Sequence, residues 1–392
     1  MSDTGSQETI RVLHFSSHDE NCGVGKYQEN YLVGMAQLPR VYNQFFEVSP
    51  YQTRVMGPAE LQGVLDRLAK ELKDYDALHI QHEFGLFSNA EFRKIVETAK
   101  AAHKKVLVTV HTSPDLAEEK PHLRGLGPRS FLSYLRANRN HNIFMRNHIE
   151  PFREADMLLV HNDFTQGALM RHGVPEGRIH KLIHPVYQHE QKQTSDVITK
   201  ELRKNPKDVI YCSPGFIYRV KGTEAAVKAL KYLPDNFKLA IIGGVHPTSN
   251  EPEIYDKITD LIDRLNLKDR VYITGFIEDD DQLDAMIREC DVCVYPYDRK
   301  YYAYVSSGSL NLSFGNDMPV IAYPTESFKE VAAISDGALV LTETFAYYEL
   351  ARELGRLDLP KQQGLSRAYA EKMAWPKMAQ ELVKVYEAVT QK

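Results

Sequence analysis

The chain has 392 residues, of which 43% are hydrophobic and 26% charged, with a formal net charge of −5. That length exceeds what one hydrophobic core supports, so two domains are expected, and the negative balance gives no reason to expect nucleic acid as a partner. The opening "SDTGSQETI" is neither a basic nor an apolar leader, no window approaches a membrane span, and four cysteines are too few for a disulfide framework; together these point to the cytoplasm.

In chain order, "IRVLHFSS" reads as a first strand. It leads through "NCGVGKYQEN" into a helix, with Gly23, Gly25 and Lys26 at the turn. Glycines there let backbone approach a ligand, and the helix N-terminus favours negative charge. A tight strand-to-helix turn explains the same pattern, and the third glycine of the dinucleotide fingerprint is missing. "ALHIQHEF", "KVLVTVHTS" and "DMLLVHN" continue as strands separated by helices such as "NAEFRKIVETAKAA". His111 sits at the carboxyl end of its strand, where ligands of parallel sheets bind. The segment from Lys120 to Ile149 breaks this rhythm. It carries Lys120, Arg124, Arg129, Arg136, Arg139 and Arg146 without an acidic residue, interleaved with Phe131, Leu132, Leu135, Ile143 and Phe144. An anionic acceptor or an anionic membrane would suit it, and so would a solvated helix face.

The polar stretch from about residue 186 to 207 reads as a linker. It divides a domain over 1–190 from a second over 205–375, with a final helix at about 376–392 returning to the first. "DVIYCSPGF", "KLAIIGG", "RVYITGF", "DVCVYPY" and "MPVIAYP" restart the strand series. The fold class is therefore α/β, with two doubly wound Rossmann-like domains facing a cleft. In "SPGFIYRVKG", Arg219 and Lys221 follow Gly215 on a loop opening a helix, a placement that suits a diphosphate or a solvated basic loop. Gly275, Phe276 and Ile277 end the next strand but one, where a planar base could lie. Asp279, Asp280 and Asp281 read as helix-capping acids. Cys290 and Cys293 form a C-x-x-C that reads as buried structure, with no metal site expected. Ser306, Ser307 and Gly308 precede a short helix and offer N–H groups and hydroxyls to an anion.

The order of these features resembles the retaining GT-B glycosyltransferases of family 4 over nearly the whole chain. The carriers are the turn at Gly23 to Lys26, "VTVH" ending at His111, "ADMLLVHNDFT", "GFIYRVKG", "ITGFI", "DVCVYPY", "MPVIAY" and the terminal "AWPKMAQELVKVYEAV". The resemblance implies a nucleotide diphosphate-sugar as co-substrate, transfer to a hydroxyl acceptor such as a glycan or lipid-linked precursor, and no metal requirement. It implies His111 beside the donor sugar, Arg219 and Lys221 on the diphosphate, Phe276 and Ile277 by the base, and the Gly23 to Gly25 turn at phosphate or acceptor. Two departures stand out. Phe216 follows Gly215 where the family usually has arginine, a role Arg219 would take over. The family's E-x7-E pair falls on Tyr304 and Leu312, with Asn311 one residue away as a substitute for the ribose contact. The missing acids leave a second reading open, a binding or regulatory subunit that kept the fold without turnover. A nucleotide-sugar epimerase ranks last, since Glu83 is its one conspicuous carboxylate.

Overall fold

The computed structural model describes residues 8–18, 22–87, 90–117, 128–187, 193–245, 253–303 and 305–391. They build two parallel six-stranded sheets. The strands are β1 (Ile10–Phe15), β2 (Val41–Phe45), β3 (Ala77–His82), β4 (Lys105–Val110), β5 (Met157–Val160), β6 (Ile179–Lys181), β7 (Val209–Pro214), β8 (Phe237–Ile242), β9 (Val271–Ile273), β10 (Val292–Tyr295), β11 (Val320–Ala322) and β12 (Leu339–Leu341). The helices that bear on the sites are α1 (Gly23–Met35), α2 (Pro58–Glu71), α3 (Glu91–Ala101), α4 (Pro128–Phe144), α5 (Thr223–Ala229), α6 (Gly308–Gly315) and α7 (Trp375–Thr390). The chain divides into two compact units. One holds residues up to Ile183, a short segment ending at Ser306, and Trp375 onward; the other holds the remainder.

In the first unit the strand order is β2-β1-β3-β4-β5-β6. The order reverses between β1 and β3, and ligands of open parallel sheets bind outside the carboxyl ends at such a point. One sheet face is apolar: Leu13, Phe15, Leu78, Ile80, Val106, Val108 and Val110 pack with Leu61, Leu65 and Leu68 of α2 and Phe92, Ile95 and Val96 of α3. The alternation of β3 and β4 sends His79, Gln81 and Thr109 to the opposite face, where all three are fully buried. Buried polar groups need partners, and most of those on this face have them, while Gln81 Nε2 and Gln28 Oε1 are buried with none among the described residues. Tyr386 of α7 shares hydrogen bonds with Tyr31 of α1 at 2.6 Å and His79 Nδ1 at 2.5 Å, and His79 Nε2 meets Thr109 Oγ1 at 2.8 Å. His14 joins Asn43 at 2.8 Å and Gln28 at 3.1 Å. This network fastens α1 and α7 onto the sheet, and a Cβ on Gly34 of α1 would lie 3.1 Å from the Trp375 Cβ.

The second unit has the order β12-β11-β10-β7-β8-β9, reversing between β7 and β10. Its core joins Tyr211, Leu239, Ile241, Val292, Val294 and Ile321 of the sheet to Ala226 and Val227 of α5. Cys212 and Cys293 are register partners across β7 and β10, buried, with their sulfurs 3.3 Å apart. Among the described residues no group of three or more His, Cys, Asp or Glu side chains is arranged to hold a metal ion. No described helix is long and apolar enough to cross a membrane.

Candidate functional site

In the second unit the strand ends are laced together past the sheet. Gly215 N–H donates to Ile242 O at 2.8 Å, Ile217 N–H to Gly244 O at 2.9 Å, and Gly243 N–H to Thr274 Oγ1 at 2.9 Å. The loop after β7 then closes as a short helical turn, Arg219–Lys221, ended by Gly222 at φ 67°. Only glycine serves there: a Cβ would stand 1.8 Å from Pro296 O, just past β10. Asp298 N–H donates to Val220 O at 2.8 Å, so the loops after β7 and β10 are tied at the point where the strand order reverses.

Lys221 is directed by this turn. Its Nζ lies 3.2 Å from Ser309 Oγ in the first turn of α6, and 5.4 Å from the centre of the Tyr297 ring. A Cβ on Gly215 would meet both Lys221 Nζ and Ser309 Oγ at 2.9 Å, so backbone, ammonium and hydroxyl converge on one spot. The Ser307 side chain caps α6, its Oγ accepting from Leu310 N at 3.2 Å. Gly308 and Ser309 next to it contribute the N–H groups a helix cannot satisfy within itself. The Tyr295 hydroxyl holds α6 on β10 through Ser309 O and Ser313 Oγ. An ammonium, a hydroxyl and a helix N-terminus brought together are groups whose charge and N–H donors would suit an anion. Arg219 is exposed on the same turn, Ser306 is half-buried, and Asn311 is buried one turn into α6. Leu312 is half-buried, while Leu310 and Phe314 belong to the core. Tyr304 lies outside the described residues.

At the end of β9, Gly275 takes φ 76°, and Phe276 is 46% exposed with Ile277 half-buried beside it. Phe216 lies nearly parallel to Phe276, ring centres 5.7 Å apart at 10°. A flat apolar pair therefore stands where the family resemblance implies an arginine. Asp279 caps the following helix, accepting from Gln282 N at 3.1 Å.

In the first unit, α1 opens with Gly23; Cys22 caps it, its sulfur accepting from Gly25 N at 3.3 Å, and Lys26 pairs with Glu29 at 2.9 Å. His111 follows β4, its Nε2 2.9 Å from Gln81 Oε1. Its ring meets Tyr27 edge-on at 4.9 Å and lies 5.3 Å from His161. Glu83 is held by Thr112 Oγ1, and burial raises its carboxyl above the usual range against the pull of that bond. Thr112 also bridges to Val305. In α4, Phe131, Leu132, Leu135 and Ile143 are 53%, 65%, 45% and 47% exposed, alongside exposed Arg129, Arg136 and Arg139, with exposed Arg146 just past the helix. Lys120 and Arg124 lie outside the described residues.

Sequence reading missed Ser309, Gln81 and the Phe216 contact. Ser309 adjoins the Ser-Ser-Gly stretch, and Gln81 is a polar residue within a strand next to the one that carries His111; both signals were present but ambiguous.

Residues 194–356, which apart from the short segment ending at Ser306 lie in the second unit, match the family model for glycosyl transferases group 1. No curated protein matches the chain. Among solved structures, HepE from Anabaena in complex with UDP aligns with a TM-score of 0.69 at 13% identity, covering 97% of this chain and 100% of that one. Sucrose-phosphate synthase from Thermosynechococcus elongatus aligns with a TM-score of 0.68 at 17% identity over 97% and 99% of the two chains. A glycosyltransferase from Rickettsia africae gives 0.67 at 15% over 97% and 98%. The fold is GT-B. In the GT-B frame the converging Gly215, Lys221 and Ser309 belong to the unit that carries the family match.

Proposed function

We propose that the chain is a retaining glycosyltransferase of family 4 that moves a sugar from a nucleoside diphosphate-sugar to a hydroxyl acceptor. The observation that carries this is the convergence of Lys221 Nζ, Ser309 Oγ and Gly215 at the N-terminus of α6. A departing diphosphate gathers negative charge, and a preorganised ammonium, the Arg219 guanidinium and helix N–H groups offset it, the role a divalent ion takes in other transferases. The family match over 194–356 supports the same donor site, as does the Anabaena neighbour, solved with UDP-glucose as well. The base lies against the exposed ring of Phe276, and Asn311 takes the ribose contact in place of an acid. His111 meets the transferred sugar, while Gly23, Gly25 and Lys26 serve the acceptor side.

The acceptor is a glycan or lipid-linked precursor, reached from the cytoplasm. The exposed apolar residues of α4, set among arginines, support contact with an anionic membrane surface. Sedimentation with phosphatidylglycerol vesicles and loss of it in Leu132→Ser/Leu135→Ser checks that contact.

The test of transfer is a panel of nucleotide-sugars, scored by nucleotide release with and without hydroxyl acceptors and by protection from thermal unfolding. One donor giving release that Lys221→Ala abolishes supports the reading; no response to any donor overturns it. Leu312, an apolar residue at an acid's position, favours a second reading of a donor-binding subunit without turnover. Thermal protection by a donor with no release under any acceptor would select it.

A further inference from the structure

His111 leaves β4 with its N–H bonded to His82 O at 3.0 Å, so the ladder holds its backbone in strand register. Its side chain is held separately. Gln81 Oε1 lies 2.9 Å from His111 Nε2, and Gln81 is fully buried on the polar sheet face, in register with Thr109 two residues before His111. An amide oxygen only accepts, so the ring nitrogen facing it carries the hydrogen. A neutral imidazole has one N–H, which makes Nδ1 the acceptor atom of the ring. Tyr27 of α1 packs edge-on against the same ring at 4.9 Å and His161 lies 5.3 Å from it, so the ring sits between two aromatic neighbours.

We propose that Gln81 is a positioning residue that fixes His111 as its Nε2–H tautomer, so that the imidazole meets substrate as a hydrogen-bond acceptor through Nδ1. The functional half rests on the reading of His111 as the residue that meets the sugar. A sugar hydroxyl is then the donor in that contact, and a His111 ring turned over or charged would lose it. Tyr27 and His161 are titratable groups in ring contact with His111, and on the loop after β3 Glu83 has its carboxyl engaged by Thr112, the residue after His111.

The test is side-chain nitrogen NMR on the full chain labelled at histidine, with the His111 signals assigned by their loss in His111→Asn. The wild type should show the Nε2–H tautomer at His111. Gln81→Met removes the acceptor and should yield a tautomer mixture, whereas Gln81→Glu keeps an acceptor and should retain Nε2–H. The added carboxylate should also raise the His111 pKa by about one unit, so that turnover falls off at correspondingly higher pH than in the wild type. Gln81→Met should lower kcat about tenfold with little change in donor KM, and should cost nothing further in a His111→Asn background. An Nδ1–H signal in the wild type, or a tautomer unmoved by Gln81→Met, overturns the assignment whatever the activity. Absence of turnover from every donor strikes instead at the transferase reading, because the NMR result requires no donor.

Discussion

Lys221 Nζ and Ser309 Oγ lie 3.2 Å apart although 88 positions separate them in the chain. The first sits on the loop after β7 and the second in the opening turn of α6, and β7 and β10 are neighbours where the sheet order reverses. Their meeting is thus a product of topology: the two loops flanking the reversal bring a cation to a helix N-terminus.

Removing that cation should weaken donor binding strongly. A charge-assisted hydrogen bond contributes roughly 1.5–3 kcal/mol, so Lys221→Ala should raise the Kd for UDP or another cognate nucleotide by about 10- to 100-fold. Ser309→Ala should do less, roughly threefold to tenfold. Isothermal titration with the nucleotide measures both.

Two glycines of left-handed conformation should separate clash from conformational strain. Gly222→Ala meets Pro296 O at 1.8 Å and must shift the loops after β7 and β10, so it should cost several kcal/mol and abolish donor binding. Gly275→Ala has no atom within 4 Å of the new Cβ and bears only the strain of φ 76°, about 1–2 kcal/mol. Urea unfolding of the pair reads the difference.

Tyr386→Phe removes the hydroxyl shared by Tyr31 and His79. Two buried groups lose a partner, so the expected loss is about 2–3 kcal/mol, and adding Tyr31→Phe should cost less than the sum of the single changes. Because the contact joins α7 to α1 and the sheet, protease cleavage before Trp375 should quicken in the same variant.

Stability should fall in mild acid. Burial lowers His14 to about 4 despite its bond to Asn43, and lowers His148 to about 4. Between pH 6.5 and 4 the unfolded chain binds protons that the native state refuses, so stability is intact above about 6.5 and declines as pH falls through that window. The loss reaches about 3 kcal/mol for His14 below a pH of about 4. Thermal melts from a pH of about 7.5 down to about 4.5 should show Tm dropping mainly below about 6.5.

The long apolar runs of β1, β3, β4, β7, β8 and β10 were legible because strands buried on both sides carry their own hydrophobic signature. The edge strands β2, β6 and β12 were not: "VYNQF", "IHK" and "LVL" are short and partly exposed, and a neighbouring strand supplies what their own sequence lacks. Gly215, Lys221 and His111 could be picked out because strand ends and cations have local signatures. Their partners Ser309 and Gln81 have only ambiguous ones, a serine beside the Ser-Ser-Gly stretch and a polar residue within an apolar strand.

By itself the sequence determined two parallel α/β domains, the loops that carry glycine and charge, and the amphiphilic character of α4. These follow from local periodicity and the stereochemistry of single residues. The tertiary structure alone decided which groups meet. It turned one face of a buried sheet into a polar network joining Tyr386 to His79 and Thr109, set Phe216 against Phe276, and gave the His111 ring its orientation from Gln81. Hydrogen bonds and ring contacts act over a few ångströms, and only the strand register, which joins positions 30 apart, and the return of α7, which joins positions 307 apart, bring these groups within that range.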